Sequence, residues 1–208
     1  MSAAVTRAGA MALVLAAVLA CPAQARPVEA PSEAEQRAGL LGETGGQAEL
    51  PRLLAALRED PAMDVRHAAE QAIWRIWSRS GDAPTDRVFE AGVAQMQAGE
   101  LHEAALTFGR VIEMRPGFAE GWNKRATVYF LLGELDRSLR DCDEVLRRNP
   151  DHFGVLAGYG QIHAQKGDLA AALDYFERAL ALNPNMDGVR ASIWAIRRAL
   201  AEQRRRYI

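Results

Sequence analysis

Four histidines, two cysteines and one tight group of carboxylates are the side chains of this 208-residue chain whose chemistry could be catalytic or metal-binding. A transition-metal site needs His, Cys or carboxylate ligands at characteristic spacings. His67, His102, His152 and His163 each stand apart from another His or Cys, and no HExxH or CxxC run occurs. A glycine-rich phosphate loop, a GxSxG nucleophile turn and a kinase signature are absent too. Asp141, Asp143 and Glu144 read as a solvated convex face, with Asp136, Arg137 and Arg140 beside them as surface salt bridges of little energetic weight. His102 and His152 fall in or next to turns and are expected in solvent, whereas His163 reads as a packed ring. The expectation is a chain that is not an enzyme, with no catalytic residues, no metal and no cofactor.

Composition narrows the class. Hydrophobic residues at 49% and charged residues at 25% are ordinary for a soluble globular chain. A net charge of -2 argues against a general nucleic-acid binder, which carries a basic excess. Two cysteines exclude a disulfide framework, and 9 Pro with 17 Gly exclude a collagenous chain.

The first 25 residues look like an export address. Arg7, the apolar run from Ala10 to Ala20 and the small-residue site Ala23-Gln24-Ala25 form the pattern of a cleaved secretory signal, with cleavage expected after Ala25. The run is too short to span a bilayer, which takes about 20 residues. Val18-Leu19-Ala20-Cys21 also loosely resembles a bacterial lipobox, so a lipid anchor at Cys21 stands as the alternative to soluble periplasmic export. Residues 26–46, rich in Pro, Glu, Ala and Gly, read as a disordered tether. In an oxidising compartment Cys142 is expected to be buried as a small hydrophobe.

What must position everything else is a repeat. Gly99, Gly133 and Gly167 lie 34 residues apart, as do Pro116, Pro150 and Pro184, and Leu101, Leu135 and Leu169. Gly92, Ala126 and Gly160 keep the step, facing Ala104, Ser138 and Ala172; Phe108, Cys142 and Phe176 form a further register. In the middle copy, Trp122, Ala126, Val128 and Tyr129 mark one face of a helix over 119–132 that Gly133 ends. Leu135, Leu139, Cys142, Val145 and Leu146 mark a second over 135–148, stopped by Asn149-Pro150. Each unit is thus two antiparallel helices joined by a tight turn.

This 34-residue helix–turn–helix, with a small residue at position 8, Gly at 15, a small residue at 20, an aromatic at 24 and Pro at 32, resembles the tetratricopeptide repeat. The copies run Thr85–Phe118, Ala119–His152 and Phe153–Met186, with Gln95 and Cys142 standing where the family favours aromatics. The fold class expected is all-α: a right-handed α-solenoid of three such hairpins, an N-terminal helical hairpin over 47–84 and a C-terminal capping helix over 187–208. The hairpin is weakly similar to a HEAT unit. It is expected to stack on the first copy, with Trp74 and Trp77 as the wedge between them or, alternatively, as surface anchors. In the capping helix Val189, Ile193, Ile196 and Leu200 form the apolar stripe. Arg197, Arg198, Arg204, Arg205 and Arg206 complement its dipole or offer a site for an acidic partner or lipid surface.

The resemblance implies a non-catalytic protein–protein interaction module holding a peptide or partner helix in a concave groove. Position arithmetic puts Phe89, Val93, Met96, Asn123, Thr127, Phe130, Gln161 and Gln165 on the groove, apolar toward the first copy and amide-bearing toward the third. Phe89, Val93 and Phe130 have burial against the hairpin or cap as their alternative. Some family members clamp a chaperone's C-terminal carboxylate with Lys, Asn and Arg. Here Lys124 and Asn123 are present, but copies one and three lack the basic partners. The partner is expected to be a protein or peptide, with no nucleic acid and no membrane span. A lipid-anchored envelope assembly factor, an accessory subunit of an enzyme complex and self-association stay open.

Overall fold

The computed structural model describes residues 46–205, with the side chains of Gln203 and Arg204 excepted. The leader, the Cys21 anchor, all of the tether but Gly46, and Arg206 lie outside the described residues. Among those described there are nine α-helices, one 3-10 turn (Gln47–Glu49) and no strand. The helices are α1 Leu50–Glu59, α2 Met63–Trp77, α3 Ala83–Gln97, α4 Leu101–Met114, α5 Ala119–Leu131, α6 Leu135–Arg148, α7 Phe153–Lys166, α8 Leu169–Leu182 and α9 Asp187–Arg205. None is long and apolar enough to cross a membrane.

Local chemistry sets the boundaries. Asp82 caps α3 by accepting the Thr85 N–H at 2.9 Å and the Thr85 hydroxyl at 2.6 Å, with proline in the first turn. Gly133 and Gly167 take φ of +77° and +84° at the turns inside the second and third hairpins, a backbone region costly for any residue with a Cβ.

Within each hairpin, size is matched across the pair. A Cβ on Gly92 would lie 2.8 Å from the Phe108 ring, and one on Gly160 would lie 2.4 Å from the Phe176 ring. In the middle hairpin Cys142 stands in the aromatic's place, and the facing position carries Ala126 instead of glycine. Cys142 is buried and its thiol is pushed up to about 12 by loss of solvation, so it packs as a small apolar group.

The capping helix behaves as the sequence predicts, burying Val189, Ile193 and Ile196 against Ala172, Phe176 and Ala179. Trp194 stays 64% exposed, with the Arg198 guanidinium over its ring.

The N-terminal hairpin does not stack on the first repeat. Its core of Leu53, Leu57, Ala69, Ala72, Ile73, Ile76 and Trp77 closes over Phe153, with Leu182 and Met186 at the margin. α1 and α2 therefore lie along the rim of inter-repeat turns and dock on the third hairpin. The reason is the surface on offer. The flank of α3 presents exposed Arg87, Glu90, Ala91 and Ala94, too polar and too small to cover a Leu/Ile/Trp face. At the third repeat the ring edge of Trp74 lies over Gly154, where a Cβ would come within 2.8 Å of it. Polar ties lock the position: Asn183 Nδ2 donates to Glu70 Oε1 (2.8 Å), Asn185 Nδ2 to Glu70 Oε2 (3.1 Å), and Arg66 Nε to Asn185 Oδ1 (3.3 Å). Trp74 and Trp77 do form a wedge, but against His152 and Phe153.

Candidate functional site

Docking of the hairpin turns the open concave surface into a walled groove. The first helices of the second and third hairpins, α5 and α7, supply the floor; α2 closes one side with Glu70 and Trp74, and α9 closes the other with Asp187, Gly188 and Ser192. The cavity between them measures about 260 Å³.

The eight groove residues expected from position arithmetic divide. Met96, Asn123, Thr127, Phe130 and Gln161 line the cavity. Phe89 does not: it is 5% exposed and packs edge-on against Phe118 (5.2 Å between centroids) and at a tilt against Phe108 (5.7 Å). Val93 packs with the same cluster, so both residues belong to the core of the first repeat instead of to the hairpin or cap contacts considered as alternatives. Gln165 is exposed at the end of α7, away from the cavity lining. The wall residues Glu70, Trp74, Asn185 and Asp187 were not foreseen, because they arrive through a contact between opposite ends of the chain. Gly154 and Gly158 were legible in principle: two glycines four apart in a helix each cost about 1 kcal/mol relative to alanine, a signal of close approach.

Polarity along the floor is uneven. Asn123 is committed, donating from Nδ2 to Glu120 Oε1 at 3.0 Å, and Thr127 Oγ1 donates to the Asn123 carbonyl at 3.0 Å. Gln161 differs. It is 8% exposed, lines the cavity, and its amide makes no hydrogen bond with any described residue. The amide atoms therefore open into the cavity and are not sealed from it; the buried side-chain atoms without a hydrogen bond among the described residues are Gln95 Oε1 and His163 Nδ1. Beside it, a Cβ on Gly158 would meet nothing within 4 Å, so the α7 backbone is open to the groove there.

Beneath the α2 wall sits a buried charged network that the sequence reading missed. Glu120, at the start of α5, has a fully buried side chain. It accepts from His152 Nε2 at 3.0 Å, from Asn123 Nδ2 at 3.0 Å, and faces Lys124 Nζ at 3.4 Å. His152 Nδ1 accepts the Val155 N–H at 3.1 Å and so caps α7; that nitrogen carries no proton, which leaves Nε2–H to donate to Glu120. The expected solvated His152 is in fact fully buried, because Trp77 stacks on it at 4.5 Å. Burial by itself pushes the Glu120 carboxyl up, but Lys124, the His152 N–H and Asn123 outweigh it and hold the group below its ordinary 4.5.

The carboxylates of α6 are likewise not a free acidic face. Asp141 is buried in a bidentate pair with Arg125 (2.7 and 2.9 Å), Asp143 accepts from the Tyr159 hydroxyl, and Glu144 holds Arg147 and Arg148. Their partners come from adjoining helices and from farther along α6, not from Arg137 and Arg140. His163 stacks on Tyr175 at 5.3 Å. Among the described residues no group of three or more His, Cys, Asp or Glu could hold a metal ion.

Comparison with known proteins agrees with the helix pattern. The tetratricopeptide repeat model matches residues 89–146 and 133–187. A TPR repeat-containing protein of Rhizobium etli is 30% identical over 136 residues, covering 65% of this chain and 66% of that protein. The Hsp70-Hsp90 organizing protein of Triticum aestivum is 27% identical over 121 residues, covering 58% of this chain but 21% of its own length. Among solved structures, the Sgt2 TPR domain from Aspergillus fumigatus superposes with a TM-score of 0.56 at 17% identity, over 60% of this chain and 83% of that one. The first TPR of Spaghetti, bound to an HSP90 peptide, gives 0.54 at 23% identity, over 56% and 93%. The period, the helix pairs and these likenesses converge, and residues 89–187 of the chain belong to the tetratricopeptide repeat family.

Proposed function

We propose that this chain is a non-catalytic protein-interaction module that holds an extended segment of a partner protein in the walled groove. The observation that carries the reading is Gln161: an amide that lines the cavity and makes no hydrogen bond with any described residue, beside bare helix backbone at Gly158. A side-chain amide offers one acceptor and two donors, the complement of a main-chain peptide group. The missing side chains at Gly154 and Gly158 let a bound backbone approach α7, while Met96 and Phe130 offer an apolar seat at the far end. A domain of the same fold holds an HSP90 peptide, which supports a peptide as the class of ligand. The basic clamp for a C-terminal carboxylate is not what this groove presents: Gly154, Ala157, Gly158 and Gln161 form the floor of its third repeat.

The test uses peptides selected from a displayed random library against the full chain. Gln161→Leu is expected to keep the fold while weakening capture about tenfold or more. Gly158→Phe fills the open space over α7 and is expected to abolish capture with the fold intact. Selected peptides that bind both variants as well as the parent would refute the groove.

We further propose that the chain works in an exported compartment, on the strength of the leader-like residues 1–25. Mass spectrometry of protein from its native cells should find Arg26 at the mature N-terminus. A diacylated Cys21 would replace soluble export with a lipid anchor.

A further inference from the structure

A second, larger cavity of about 540 Å³ lies on the other side of the α2 tryptophans from the groove. Trp77 lines it, as Trp74 lines the groove. Three arginines from three separate places in the chain also line it: Arg79 after α2, Arg115 after α4 and Arg148 at the end of α6. The remaining wall is mixed: Leu50 and Phe118 give it an apolar side, and Gln47, Ser80 and Asn149 a polar one.

The three cations are not equally occupied. Arg148 donates to the Pro116 carbonyl through Nε and to Glu144 through Nη1. Arg115 reaches the Ser80 carbonyl at 3.4 Å through one Nη and feels the Asp82 carboxylate. Arg79 is exposed, and its guanidinium bonds to no described residue. Glu120, an acid that also lines the cavity, faces Lys124 and accepts from His152 and Asn123, and this pairing offsets its charge. Three arginines beside the apolar side formed by Leu50 and Phe118 make a positively charged mouth with one guanidinium fork uncommitted.

We infer that this cavity binds a carboxylate carried on an apolar body, independently of what the groove holds. One free fork matches the two oxygens of one carboxylate in a bidentate pair, with Arg115 supporting it through its remaining N–H groups. Trp77, Leu50 and Phe118 take the apolar portion, and the volume lies in the range of small-ligand sites. An acidic side chain beside an apolar one in a peptide has this chemistry, and so does a fatty acid.

The experiment titrates the full chain with acetyl-leucyl-aspartate amide and with octanoate, each beside its uncharged carboxamide counterpart, by calorimetry and tryptophan fluorescence. At least one carboxylate is expected to bind at least tenfold tighter than its amide, and Arg79→Gln is expected to erase that preference without changing the melting temperature. The tighter of the two names the source. Gly158→Phe should leave this binding unaltered, which separates it from the groove. Equal affinity for acid and amide, unchanged affinity in Arg79→Gln, or no binding of either carboxylate would overturn the assignment.

Discussion

Gly160→Ala is expected to destabilise the fold by about 2 kcal/mol even though alanine is the better helix former. Alanine gains about 1 kcal/mol of helix propensity over glycine, but its methyl would lie 2.4–2.8 Å from three atoms of the Phe176 ring. That ring is 1% exposed and has nowhere to go. Overpacking of this kind costs about 1–3 kcal/mol beyond any local gain. The middle hairpin supplies the compensating change, because Ala126 is tolerated there opposite Cys142. Phe176→Cys alone should cost about 3 kcal/mol through the cavity it leaves. The double variant Gly160→Ala/Phe176→Cys should be no worse than Phe176→Cys, a coupling of about 2 kcal/mol in a double-mutant cycle read by urea unfolding. Simple additivity of the two changes would show that glycine is not there for the ring.

The second large effect belongs to the buried acid. Glu120→Leu removes the carboxylate that faces Lys124 and leaves the His152 Nε2–H and the Asn123 amide facing an apolar side chain. Breaking one side of a buried pair costs about 3–5 kcal/mol, whereas replacing both sides with apolar groups is often neutral. Glu120→Leu/Lys124→Met should therefore recover part of the loss, with the His152 Nε2–H and the Asn123 amide still facing an apolar side chain. The pH dependence has a definite sign. The folded carboxyl is held below its ordinary 4.5, so its contribution is fully present above that value and is lost as the pH falls from 4.5 through the folded value. Denaturant titrations across this acidic window should show a flatter fall for Glu120→Gln than for the parent. Identical slopes would mean that the acid does not carry the charge the geometry assigns to it.

How much of this could be read from residues alone follows from which contacts are local. The three hairpins were legible because each unit makes the same contacts with itself: small against aromatic at positions 8 and 24, glycine at the turn, proline after the second helix. The capping helix was legible for the same reason, since its stripe of Val189, Ile193 and Ile196 has only the preceding hairpin to cover. Phe89 misled the position arithmetic because its register lies at the edge between groove and core: Asn123 faces the cavity there, whereas a phenyl ring is long enough to turn inward onto Phe118. His152 misled it because a residue in a turn after proline is ordinarily solvated, and nothing within the repeat announces that Trp77 will cover it. The side walls of the groove share that origin. Glu70 meets Asn183 and Asn185 across more than a hundred residues, and no periodicity encodes such a pairing.

Most solenoids are assembled like beads, each unit touching its neighbours, so that ends fray and fragments fold alone. Here the first hairpin cannot bury Ile73 and Trp77 until Phe153 and Leu182 have been made. On the ribosome, the earliest helices would wait with an uncovered oily face for the third repeat to emerge, a window in which a holdase would matter. Once closed, the clasp ties the start of the array to its end, so the molecule should melt as one cooperative block instead of peeling from its termini.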